Sequence, residues 1–97
     1  MGLVARSAGD CDGTETFEKV SNMILEAATP IPLYSSTGNT VTAECNNRCR
    51  SSNNCPAFLV NYDQEACFKL DMNSEGQRDE LKPAPARVNY FEKVCLQ

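Results

Sequence analysis

Hydrophobic and polar positions along this chain sort into short segments rather than long helical stripes. Phe17 and Val20 lie in Thr16-Phe-Glu-Lys-Val20, which predicts a strand after the Asp12-Gly13 turn signal. Met23-Ile24-Leu25 is a brief apolar run on which a helix could open, but Thr29-Pro30-Ile31-Pro32 stops it. Ile31, Leu33 and Tyr34 predict a second extended segment, and residues 35–39 a loop. A helix over about 42–50 follows, capped by the hydroxyl of Thr40 or Thr42, with Glu44 near its start and Arg50 at its end. Phe58, Val60 and Tyr62 alternate with smaller or polar neighbours, Asp63-Gln64-Glu65 turns the chain, and Ala66–Leu70 returns as a strand. Residues 71–86 are polar and rich in turn formers, and predict a surface loop. Val88–Cys95 predicts a final strand with Val88, Tyr90 and Val94 as core candidates. The pattern is α+β: one helix packed on a four- or five-stranded antiparallel sheet.

Ninety-seven residues make one domain. Residues 1–9 read as a linker or residues carried over from cloning, and 10–97 as the module, which is expected to be cut from a longer chain. A chain of this size buries roughly 60–65% of its unfolded surface, so its core is modest. It contains no tryptophan but six cysteines, which are expected to act as staples. Cys45 and Cys49, four apart on one helical face, are badly placed to bridge each other, so each bonds elsewhere. Loop length favours Cys49–Cys55. Cys67 on the hairpin is then the nearest candidate for Cys45, which leaves Cys11 for Cys95. Six cysteines admit many other pairings, and the sequence alone does not choose among them.

Composition narrows the chemistry. With no histidine, neither Ser/His/Asp nor Cys/His catalysis can be built within the chain. The net charge of −4 disfavours an electrostatic grip on nucleic acid or anionic lipid. No apolar run approaches the roughly 20 residues that span a bilayer. Cys45-x3-Cys49 could offer two thiolates to zinc, but no histidine completes a set. The acids Asp10, Asp12, Glu75, Asp79 and Glu80 match no calcium loop and read as solvated surface. No catalytic, cofactor or metal-binding residue is therefore expected. Asn46, Asn47, Arg48 and Arg50, on the helix, are the candidate partner contacts, together with loops 35–41 and 71–86.

The run Thr42-x-x-Cys45-x3-Cys49-x5-Cys55-x-x-Phe58, followed by Cys67 and Tyr90-Phe91-Glu92-Lys93-x-Cys95, resembles the PAN/Apple family. The opening Cys11-x5-Phe17 fits as well, so the resemblance covers nearly the whole module. It implies a small antiparallel sheet wrapped around one helix. It also implies the nested pairing Cys11–Cys95, Cys45–Cys67 and Cys49–Cys55. Such domains are extracellular binding modules, and the Tyr-Phe-Glu-Lys-Val-Cys ending is most similar to those of invertebrate apical matrix proteins, which often precede a zona pellucida domain. The expected function is non-catalytic binding in a secreted or membrane-anchored protein. The partner is an extracellular protein, with self-association included. A glycan-binding adhesin is the second reading, and an intracellular zinc protein the third.

Overall fold

The computed structural model describes residues 4–5, 14–35, 41–52, 54–84 and 87–96. Its centre is β8 (Val88–Leu96), a nine-residue strand bonded along both edges. On one edge it pairs antiparallel with β2 (Thr14–Ser21), Phe17 opposite Lys93. On the other it pairs with β5 (Ala57–Asn61), Phe58 opposite Phe91, and beyond that with the two residues of β1 (Val4–Ala5). Next come β6 (Ala66–Leu70) and β4 (Ile31–Ser35). The main strand order is thus β2-β8-β5-β6-β4. Pro32 is accommodated because β4 is an edge strand, where a missing N–H costs no ladder bond. The register shifts between Pro32 and Tyr34.

One face of this sheet carries α1 (Val41–Arg50), as the hydrophobic pattern predicts. Val41, Cys45 and Cys49 point inward and meet Phe58, Val60, Cys67 and Phe91, with Phe17, Leu33, Tyr34 and Tyr62 at the margin. Phe58 stacks on Phe91 at 4.7 Å and takes the edge of Phe17 at 5.2 Å. A ten-residue helix is too short to hold itself in water. Two disulfides hold it: Cys45–Cys67, Cα–Cα 6.2 Å, ties its middle to β6, and Cys49–Cys55, Cα–Cα 5.3 Å, ties its last turn to the loop before β5. Both are the expected pairs. Cys95 is also disulfide-bonded and buried. Its expected partner, Cys11, lies outside the described residues, as does the Thr40 cap and loop 36–40. The other proposed cap, Thr42, sits inside the helix, where its hydroxyl is 2.9 Å from that of Tyr62.

The opposite face departs from the sequence reading in two places. Met23-Ile24-Leu25 opens no helix but forms β3 (Met23–Leu25), which pairs with β7 (Leu81–Pro83) in a separate ribbon. Asn22, in the left-handed region at φ 59°, turns the chain from β2 into β3. Three residues are too few for a helical turn to pay off, whereas Leu25 gains a fully covered site. Residues 71–84 are accordingly more than a surface loop. They carry a 3-10 turn (Arg78–Glu80), β7 and a completely buried Ser74. The ribbon and this strap cover Ala57, Leu59, Leu70, Val88 and Tyr90. With both faces covered, β5 and β8 are buried at consecutive positions, and the expected alternation is lost.

In the chain-entropy view, closing the 22-residue separation of Cys45–Cys67 is worth about 3 kcal/mol. Cys45→Ala also leaves Cys67 free to mispair. It is expected to lower Tm by more than about 10 °C, whereas Asp79→Ala, on the exposed 3-10 turn, stays within about 2 °C of the parent. Calorimetry of the three proteins checks this, and an unchanged Cys45→Ala would remove the disulfide from its structural role.

Candidate functional site

Three places on this frame concentrate chemistry: the outer surface of α1, an apolar groove on the opposite face, and a buried polar cluster on that same face.

Each residue predicted on the helix has a definite place. Asn47, Arg48 and Arg50 are exposed, and Asn46 is half-buried. The Arg48 guanidinium lies over the Tyr34 ring, 4.4 Å from its centroid, and its Nε is 3.9 Å from Glu44. A cation held this way is worth about 0.5–1 kcal/mol at an exposed site. Arg48 therefore fastens α1 to β4, while Asn47 and Arg50 present exposed side chains.

The groove is concave. Its volume is about 480 Å³, and it is lined by Ile24, Leu25, Ala28, Pro30, Leu59 and Phe68, with Glu26, Asn61 and Val88 completing the rim. It exists because the β3–β7 ribbon covers only part of the sheet's outer face. Leu70 and Tyr90 lie under the ribbon, while Phe68, next to Pro32 in register, remains half-exposed. Asn61 commits its amide oxygen to the turn: its Oδ1 accepts the N–H groups of Asp63 and Gln64 and fixes the β5–β6 turn. The lining is thus apolar, with Glu26 the one charge at the rim.

The ribbon's position depends on Glu92, fully buried on β8. Its Oε1 accepts the backbone N–H of Ser74 at 3.2 Å, the Ser74 hydroxyl, and the Tyr90 hydroxyl at 2.9 Å. Arg78 reaches its Oε2 at 3.9 Å and pairs closely with Glu18 on β2 at 2.6 Å. A buried carboxylate is tolerated only when its oxygens are satisfied, and here Ser74 and Arg78 come from the strap and Tyr90 from β8 itself. On the other face Lys93 is almost as deeply buried. Its Nζ donates to the carbonyls of Cys49 and Ser52, each at 3.0 Å. It thereby caps the carbonyl end of α1, where the helix dipole favours a cation. Burial pulls the Lys93 ammonium pKa down, while nearby Glu15 opposes that shift. The sequence reading did not single out either residue. The available signal was a charged pair inside the otherwise apolar run Tyr90–Cys95, which an edge strand facing water would not need.

The one serine hydroxyl set against a carboxylate among these groups, Ser74 on Glu92, is completely buried. Four cysteines are consumed by two disulfides, which takes their thiolates from the zinc reading. No helix among the described residues is long and apolar enough to cross a membrane. The family model described as PAN domain matches residues 11–95. No curated protein and no solved structure matches the chain.

The cluster makes a pH prediction. Burial, and then the charge of Glu92, push the Tyr90 phenol well above its ordinary 10.0. An unfolded tyrosine loses its proton near 10, so the stability brought by the buried neutral phenol is intact below that pH and falls as pH climbs past it. Lys93, whose pKa is depressed, works in the opposite sense, so a variant comparison isolates the effect. Tyr90→Phe loses a hydrogen bond to a carboxylate and is expected to be less stable than the parent by about 1–3 kcal/mol at about pH 8. That gap narrows by about 1 kcal/mol at about pH 11. Urea unfolding at both pH values measures it, and a constant gap would contradict the assignment.

Proposed function

The chain belongs to the PAN domain family, protein- and carbohydrate-binding modules that are generally non-catalytic, and from that premise we propose that it is an extracellular module mediating protein–protein association in matrix assembly or adhesion. PAN domains with disulfides are typically extracellular, and an oxidised framework of this density fits a secreted protein or an ectodomain. A third bridge, Cys11–Cys95, belongs to the same proposal.

The groove is the observation that carries the choice of a protein partner. A neutral-sugar site needs several hydrogen-bonding side chains converging on the ligand. This groove offers Phe68, Leu59, Pro30 and Ile24, with polar groups confined to Glu26 and Asn61. An apolar side chain rimmed by a basic residue suits it: the first displaces water from Phe68 and Leu59, and the second meets Glu26. The disulfides pin α1 to one face of the sheet and Glu92 pins the strap to the other, so little ordering cost is left to binding. The helix surface, with Asn46, Asn47, Arg48 and Arg50, is the alternative contact face, and variants there separate the two.

The test is a screen of the oxidised module against purified secreted matrix proteins and a glycan array. We expect a protein partner whose affinity falls about tenfold or more with Phe68→Ser and stays level with Arg50→Ala. Binding confined to neutral glycans, or a protein partner lost with Arg50→Ala and kept with Phe68→Ser, would overturn the groove as the site.

A further inference from the structure

The long edge of β2 is the remaining surface with a specific chemistry, and it leads beyond the binding of an unlike partner. β2 is eight residues long and pairs along its whole length with β8, while among the described residues no strand occupies its other edge. Which backbone groups face outward follows from the ladder. The N–H of Lys93 donates to the carbonyl of Pro56, on the β5 side of β8. Its opposite number Phe17 is therefore in a non-hydrogen-bonded pair with it, and points its own N–H and C=O away from β8. The same parity turns the backbone groups of Glu15 and Lys19 to the open edge.

Natural edges usually carry charges that prevent pairing. Glu15 and Lys19 are such charges, but their spacing about Phe17 is self-complementary. A two-fold axis through Phe17 sets Phe17 against Phe17 of a second copy, Glu15 against its Lys19, and Lys19 against its Glu15. All three are outward-facing pairs, each able to exchange two backbone bonds, about six in total. Shifting the axis to Glu18 puts Glu18 against Glu18 and dissolves both charge pairs. Shifting it to Thr16 faces Glu15 with Phe17. An axis between two residues would match outward with inward backbone groups, which an antiparallel ladder forbids. The seam is also open above the sheet, because α1 packs on β4, β5 and β6, at the far side.

We propose that two copies of this module associate edge to edge through β2, antiparallel and centred on Phe17, to form one continuous sheet across a two-fold axis. The two grooves, over β5 and β6, stay free in this dimer, which presents them bivalently to a partner.

Sedimentation velocity across a concentration series tests it. The parent is expected to dimerise reversibly. Lys19→Glu sets Glu15 against a glutamate at both ends of the seam and weakens the dimer about tenfold or more, and Glu15→Lys/Lys19→Glu restores it. Hydrogen exchange supplies a second readout that does not depend on substitution. The amides of Glu15, Phe17 and Lys19 gain protection with concentration, while those of Thr16 and Glu18, already bonded to β8, do not change. A protein that stays monomeric to about 1 mM overturns the proposal. So does a dimer indifferent to the charge reversal, or one that leaves the Phe17 amide unprotected. Each of these results leaves the groove and its partner untouched, since a monomer can bind one.

Discussion

The short helix is the constraint on which the rest of this structure depends. α1 has only Val41, Cys45 and Cys49 to bury, and a polar sequence between them. Propensity and burial cannot hold ten such residues in place. Covalent attachment at two points, and a lysine ammonium on the last carbonyls, hold them instead. Once α1 is fixed, Phe58, Phe91 and Phe17 have a lid to pack under, and the helix side of the sheet becomes a core.

β8 transmits that constraint to the other face. Its adjacent residues Glu92 and Lys93 point to opposite layers, and each ties down one of them: Lys93 the end of α1, Glu92 the strap that carries the β3–β7 ribbon. Charges are costly in a small interior, and these two are retained where each is surrounded by partners. Removing either would free a layer, which is why neither side of the sheet can be considered apart from the strand between them. The groove is a by-product of this arrangement. The ribbon is only three residues long on each strand and leaves Phe68 half-exposed beside the buried Leu59.

The sequence made the helix side legible and left the other face obscure, for physical reasons. Cysteine spacing encodes geometry, because two side chains four apart on a helix must find separate partners, and a six-residue separation can close on itself. Loop length therefore favoured Cys49–Cys55 and left Cys67 as the nearest candidate for Cys45, while the full set was implied by the family resemblance. The β3–β7 ribbon has no such code. Met23–Leu25 and Leu81–Pro83 are short, far apart in sequence, and paired only because the strap returns them to each other. Ser74 sits in a polar run and gives no sign of burial until Glu92 is opposite it. Asn47, Arg48 and Arg50 are exposed on the helix and Asn46 is half-buried, and the tethering of Arg48 to Tyr34 required knowing that β4 lies beside α1. The groove, made by what fails to cover it, could not be read from any one segment.

Peptide mapping of the unreduced protein by mass spectrometry tests most directly whether an oxidised framework organises this module. Trypsin cuts after Arg48, Arg50 and Lys69, and a second cut after Glu65 separates Cys55 from Cys67. Three linked pairs are expected: Cys45 with Cys67, Cys49 with Cys55, and Cys11 with Cys95. Free thiols at Cys45 and Cys67, or an exchange of partners between the helix and the hairpin, would contradict this, because α1 would then have to be held by something other than the bonds on which the sheet, the strap and the groove all rest.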